Sequence, residues 1–442
     1  MTALERRLGL GGATAANMLA MIGVGPFLTI PLLLASMHGP QAMLGWVLGA
    51  LVSICDGLVW AELGAAMPDA GGPYRYLLEA YGPRSLGRLM SFLYLWQFLA
   101  QAPLGMASGA VGFSQYALYL WPKMTAWQGK LLAMGVCLFA CALIYRRIES
   151  VGRLSIMIWC VVMVAVLWIM ADGLLHARLS LITDLPPHAF RLTHDFWIGL
   201  GGATLYAAYD YGGYNTVCFL GGEVVKPAVT IPRSILAAIA AVGVLYLVMN
   251  VTIIGVVPWQ EAIRSKYIVS EFIARLHGPR AAAVMTALIL ATAFASVFAG
   301  MLGYSRVPYA AAVGDRFFRA FARLHPTGHF PSFSVVFVGM SSAIACLLDL
   351  EALVTALIVI QTIIQSLAVV AAVPMLRRTR PDIERPFNMW LYPVPCVIAF
   401  AGWTYIVVTS GVAYILAGFG LLGLGIAAYL WRAKRKLEWL WT

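Results

Sequence analysis

Ile22-Gly23-Val24-Gly25-Pro26-Phe27 interrupts the first long apolar stretch of this 442-residue chain, and the reading of the fold starts there. The stretch runs from about Gly12 to Met37, more than the roughly 20 apolar residues that cross a bilayer. Glycine weakens a helix and proline removes one of its hydrogen bonds, so the helix is expected to break near its middle. Pro26 then suits the first turn of a new helix, where its missing N–H costs nothing. In hydrocarbon the freed backbone groups must find protein, water or a ligand. A second break of the same kind is expected at Tyr209-Asp210-Tyr211-Gly212-Gly213-Tyr214-Asn215.

Twelve apolar segments can be counted between charged or Pro/Gly punctuation. In chain order they are Gly12 to Met37, Gln41 to Met67, Gly87 to Leu120, Ala126 to Tyr145, Leu154 to Asp172 and Phe196 to Gly221. Then come Ser234 to Val257, Arg280 to Tyr304, Ser332 to Leu348, Ala352 to Leu376, Leu391 to Thr409 and Val412 to Trp431. The breaks fall in segments 1 and 6. Five is an odd number of crossings, so a second five-helix repeat would enter the membrane from the opposite side. Paired interruptions at corresponding positions are the best sequence pointer to a transporter binding site. The expected fold is therefore an all-α polytopic membrane protein of about twelve helices. Residues 1–194 would form the first inverted repeat, 195–376 the second, and 377–442 two further helices with a basic tail.

Composition agrees with this reading. The chain is 61% hydrophobic and 11% charged, with a mean hydropathy of +0.83; soluble domains carry about 25% charged residues. A soluble enzyme, a disordered chain and a disulfide scaffold are excluded on that ground. The net charge of +11 reports topology, not nucleic acid. With the N-terminus inside, the cytoplasmic loops hold 22 of the 30 Lys and Arg residues and the outer loops 8, which places both termini in the cytoplasm. Arg146-Arg147, Arg377-Arg378 and Lys434-Arg435-Lys436 are the densest groups. Glu5-Arg6-Arg7 precedes an apolar stretch too long for a signal-peptide core, so segment 1 is expected to remain as a span. Trp259 to Leu276 reads as an outer helix lying over the bundle, and Pro73 to Arg88 as a short cytoplasmic helix.

Seven cysteines lie mostly inside apolar segments and form no Cys-x-x-Cys pair, so neither a metal nor a disulfide framework is expected. Seven histidines lie near loops, no His-Glu-x-x-His appears, and no phosphate-binding Gly-rich loop carries a lysine. These features disfavour a membrane-embedded enzyme and an ATP-driven pump, and no repeated filter or charged ring suggests a channel. No cofactor is expected, and the sequence assigns no oligomeric state.

Several short stretches, in order along nearly the whole chain, resemble the amino acid–polyamine–organocation transporter superfamily. Gly23-Val24-Gly25-Pro26-Phe27 is similar to that family's Gly-Ser-Gly-Ile-Phe break. Trp60-Ala61-Glu62-Leu63 and Pro68-Asp69-Ala70-Gly71-Gly72-Pro73-Tyr74 are similar to its pattern after the second span. Tyr211-Gly212-Gly213-Tyr214-Asn215, Gly222-Glu223-Val224 and Pro232-Arg233 resemble its sixth span and the loop that follows. Ser305-Arg306, Gly314-Asp315, His325-Pro326 and Pro331 resemble the loop after span 8. Arg377-Arg378 to Arg380-Pro381-Asp382 and Glu384-Arg385-Pro386 resemble the loop before span 11.

The resemblance implies a permease in a plasma membrane, here a bacterial inner membrane, working by alternating access around a site between segments 1, 3, 6 and 8. It implies that Ile22, Gly23, Val24, Gly25, Pro26 and Phe27 contact the substrate together with Tyr209, Asp210, Tyr211, Gly212, Gly213 and Tyr214. An amino acid carboxylate would meet amide donors at the start of the second half of segment 1, the positive end of a helix dipole. The ammonium would meet carbonyls freed near Ile22, Tyr209 and Asp210, with Tyr209 as an aromatic lid. Gln101, Ser108, Asn215, Thr292 and Ser296 are candidates for lining the site or an ion pocket. The expected partners are the bilayer, a small-molecule amino acid or a polyamine, and a coupled proton or sodium ion.

Three departures bear on the substrate. Val24 stands where relatives often have a hydroxyl residue, and Pro26 offers no donor. Segment 5 has no lysine between Leu154 and Asp172, so the family's lysine substitute for a bound sodium ion is not evident. Asp210 occupies a position that is often small and neutral. An aspartate facing lipid at mid-membrane costs about 2.5–3.5 kcal/mol, so Asp210 is expected to face the interior, touching the substrate's positive end, carrying a proton, or both. Asp56, Glu62 and Glu223 are expected to be held by backbone donors or arginines such as Arg306. A neutral or broad range of amino acids is the first substrate reading, and cationic amino acids or polyamines the second.

Overall fold

In a computed structural model, residues 6–68, 72–145, 151–314, 316–326 and 330–436 are described, without the side chains of 84, 151–161 and 436. Arg146-Arg147, Asp69-Ala70-Gly71 and Asp315 lie outside the described residues. Among the described residues every regular element is a helix or helical turn, apart from one isolated bridge between Leu8 and Val224.

A helix stands on each of the twelve apolar segments. Segments 3 and 4 end at the expected residues, Gly87–Leu120 and Ala126–Tyr145. Six helices among the described residues are long and apolar enough to cross a membrane, and seven if the bent pair Leu10–Met21 and Gly25–Met37 counts as one. The chain is an integral membrane protein. Its outward faces carry the apolar side chains that lipid requires: on segment 12, Val412 is 71% and Leu416 66% exposed.

The interior is packed through small residues. Gly45 and Gly49 of segment 2 sit one turn apart against Ala203 and Ala207 of segment 6, so close that an added Cβ would lie 2.5 and 2.8 Å from those side chains. Such small-residue faces let membrane helices approach without a hydrophobic drive. Ahead of segment 8 an outer helix is expected over Trp259 to Leu276. The structure has the short helix Trp259–Ala262 and then a helix from Ile268, which breaks at the extended Gly278 (φ 81°, ψ 178°) before Pro279, so the run Ile268–Tyr304 is an outer helix followed by segment 8. The short helix expected over Pro73 to Arg88 is Pro73–Ala80, followed by a π-helical turn at Gly82–Leu86.

The loop before segment 11 is held by charge. Arg377 makes a bidentate pair with Glu62 (2.8 and 2.6 Å) and lies over the Tyr392 ring, while Glu62 also accepts the Met389 N–H at 3.0 Å. Arg377, not Arg306, is therefore the partner of Glu62. Arg385 also donates to the carbonyls of Leu376 and Arg380 where segment 10 ends. On the exposed rim Arg380 pairs with Asp382 and holds its carboxyl below the usual range.

Glu62→Gln leaves the Arg377 guanidinium without its buried carboxylate, and charged hydrogen bonds contribute about 1.5–3 kcal/mol. The partly exposed arginine keeps some solvation, so a loss of about 1–3 kcal/mol is expected. Thermal unfolding in detergent should register a clear fall for Glu62→Gln and little change for Asp382→Asn.

Candidate functional site

Both breaks are where the sequence places them. The first helix ends at Met21, the second begins at Gly25, and the two halves meet at 50°. Pro26 occupies the first turn of the second half. The freed carbonyls are answered by tyrosines: Tyr246 donates to Met21 at 2.9 Å and Tyr116 to Phe27 at 2.7 Å. The Phe27 carbonyl is free because Pro31, four residues on, has no N–H. One donor is not answered: no backbone hydrogen bond among the described residues uses the Val24 N–H.

Segment 6 runs as His194–Tyr211, turns through Gly212 to Asn215, and resumes as the short helix Thr216–Phe219. Gly213 has φ +112°, which glycine alone adopts readily, and its Cα lies against the Ala20 backbone of segment 1. Asn17 accepts the Val217 N–H at 2.8 Å, tying the first half of segment 1 to the second half of segment 6. The N-terminal stretch adds to this tie, with Arg7 and Leu8 donating to the Glu223 carbonyl and Val225 to that of Leu8.

Between the breaks lies a cavity of about 550 Å³. Of the residues named from sequence, Gly23, Val24, Gly25, Tyr209, Asp210, Gly212, Gly213, Gln101, Asn215 and Ser296 line it. Gly105 and Gly109, one turn apart on segment 3, also line it. Exposed Gly303 and Arg306 are part of the lining. The cavity therefore opens on the face where the N-terminal stretch meets Glu223.

The remaining residues named from sequence support the walls. Ile22, Pro26 and Phe27 are buried beside the break. Ser108 holds the Tyr209 hydroxyl at 2.8 Å. Tyr211 packs edge-on against Trp46 and near Tyr246, and Tyr214 donates to Asp56 at 2.5 Å. Thr292 donates to the Leu288 carbonyl of its own helix. Asp56 also accepts from Trp403 at 3.2 Å, so it is a structural acid satisfied by two neighbours.

Asp210 is 2% exposed. Its Oδ2 accepts from Thr29 at 2.5 Å, while Oδ1 has no partner. That oxygen lies over Gly25, where an added Cβ would stand 2.4 Å from it. The bare Val24 donor and, over the next residue, an unpaired carboxylate oxygen thus lie close together on the wall. Sequence reasoning missed Tyr304, Gln361 and Gln365, which also line the cavity. The i, i+4 spacing of Gln361 and Gln365 in an apolar segment was the available signal.

A helical membrane protein with two broken helices around an internal cavity that opens on one face is the architecture of a permease. A family model described as "Amino acid permease" matches residues 8–423. The chain belongs to that family of transporters. It is 26% identical to the human "Large neutral amino acids transporter small subunit 2", over 98% of this chain and 82% of the relative. It is 24% identical to the "Serine/threonine exchanger SteT" of Bacillus subtilis (strain 168), over 98% of both chains. "Cationic amino acid transporter 4" of Mus musculus is 24% identical over 80% of this chain and 57% of the relative.

Proposed function

We propose that this permease carries a neutral α-amino acid as its zwitterion, bound at the paired breaks and moved by alternating access. The observation that carries the reading is the unbonded Val24 N–H, at the start of the second half of segment 1, beside the unpaired Asp210 Oδ1 over Gly25. Helix N-terminal donors suit a carboxylate, and a buried carboxylate oxygen suits an ammonium. Gly23, Tyr209, Gly212 and Gly213 complete the contact, with Tyr209 as the lid held by Ser108. In this reading residues 1–194 and 195–376 are inverted five-helix repeats, followed by two helices within 377–442. The charge asymmetry of the loops supports cytoplasmic termini, and the setting is a bacterial inner membrane with the cavity open inward. The relatives named for large neutral amino acids and for serine and threonine support a neutral substrate.

A cationic amino acid or polyamine is the second reading, favoured because Asp210 is the one acid among the cavity's described lining residues. Uptake of labelled amino acids and putrescine into proteoliposomes, with imposed proton or sodium gradients or internal amino acid, separates the cases. Saturable uptake of neutral amino acids is expected. Putrescine uptake that no amino acid inhibits would overturn the first reading, and the gradient dependence distinguishes ion coupling from exchange.

A further inference from the structure

The inner part of the cavity carries a second polar feature that the breaks do not use. Gln101 of segment 3 donates from Nε2 to Gln361 Oε1 of segment 10 at 2.9 Å, fixing the two amides against each other. Gln101 is 8% and Gln365 7% exposed, both line the cavity, and the Oε1 of each has no partner. Gln365 lies within a π-helical stretch, Thr362–Ala368, and such wide turns occur frequently at functional sites. The wall around these amides is apolar, with Phe98, Leu357 and Ile358. Amides set in an apolar wall, two of them with buried unmet acceptors, call for a ligand that brings donors.

We propose that Gln101, Gln361 and Gln365 form a subsite for the substrate's side chain, selecting neutral amino acids that end in a carboxamide at glutamine's length. The inference rests on the reading that the carboxylate binds at the helix start beside the Val24 N–H. Gly109 is level with Val24, whose Cγ1 would lie 4.0 Å from a Cβ on that glycine. Gln101 is eight residues closer to the mouth, about 12 Å along a helix. Hydrogen bonds of about 2.9 Å at both ends leave about 6 Å for the ligand between them. A glutamine side chain reaches about 5 Å from its Cα by ordinary bond lengths, which fits once the carboxylate is added. A serine hydroxyl falls about 3 Å short on the same geometry. A methionine has the length and no donor. Arg306 at the mouth, exposed and beside the same cavity, disfavours a cationic tail.

The test is competition against uptake of a labelled neutral amino acid in proteoliposomes, with L-glutamine, L-methionine, L-serine and L-lysine. Glutamine should compete at a concentration about tenfold below methionine, and Gln101→Leu or Gln365→Met should shrink that ratio to about twofold or less. Methionine competing as well as glutamine in the unaltered protein would overturn the proposal, whether or not the variants fold. So would a ratio that survives both substitutions in folded protein. Absence of saturable amino acid uptake would instead overturn the underlying substrate reading, which keeps the two failures apart.

Discussion

Asp210→Asn is expected to lower uptake about 10- to 150-fold, because a hydrogen bond to a charged group contributes about 1.5–3 kcal/mol. The substitution keeps the size of the side chain and an oxygen able to accept from Thr29. It removes the negative charge from the position over Gly25 where the acid has no other partner. The loss should therefore fall on transport, with detergent-extracted protein as stable as the parent. If Asp210 also carries a coupled proton, the variant should lose the dependence of uptake on an imposed pH gradient. Unchanged uptake together with an unchanged pH profile would show that Asp210 is a structural acid like Asp56.

Gly213→Ala should act on the fold itself. Its φ of +112° is a region in which side chains are strained by about 1–3 kcal/mol. The new Cβ would stand 2.8 Å from the Ala20 carbonyl carbon, a backbone atom that no rotamer change can move. Overpacking of this kind costs about 1–3 kcal/mol more. The combined loss is a large part of the stability of a typical domain, and poor recovery of folded, monodisperse protein is the expected result. Gly11→Ala in the helix Leu10–Met21, with nothing within 4 Å, is the control and should behave as the parent. Normal recovery and uptake for Gly213→Ala would mean that the contact between the breaks is looser than described.

Helix positions were legible in the sequence because hydropathy is a local property and loops carry the charge. Both breaks were legible too, since glycine and proline act on their own backbone. The parts that were not legible depend on distant partners. Glu62 could be seen to need a cation, but Arg377 comes 315 residues later and Arg306 was an equally good candidate by sequence. Ser108 and Tyr211 could be named as site residues from their neighbours along the chain. Only the packed bundle turns one to hold Tyr209 and the other toward Trp46. Gln361 and Gln365 escaped notice because polar residues in membrane helices usually bond to a neighbouring helix. Gln361 does so, and what sets the group apart is the oxygens left over.

The short pairing of Leu8 with Val225, together with the Asn17 link to Val217, makes the first half of segment 1 and the second half of segment 6 a single lever. Neither half can swing outward alone without stripping backbone groups of their partners. In the proposed alternating access these two half-helices should therefore move as one body, and a spectroscopic probe at Gly9 is expected to report the position of segment 6 as faithfully as that of segment 1.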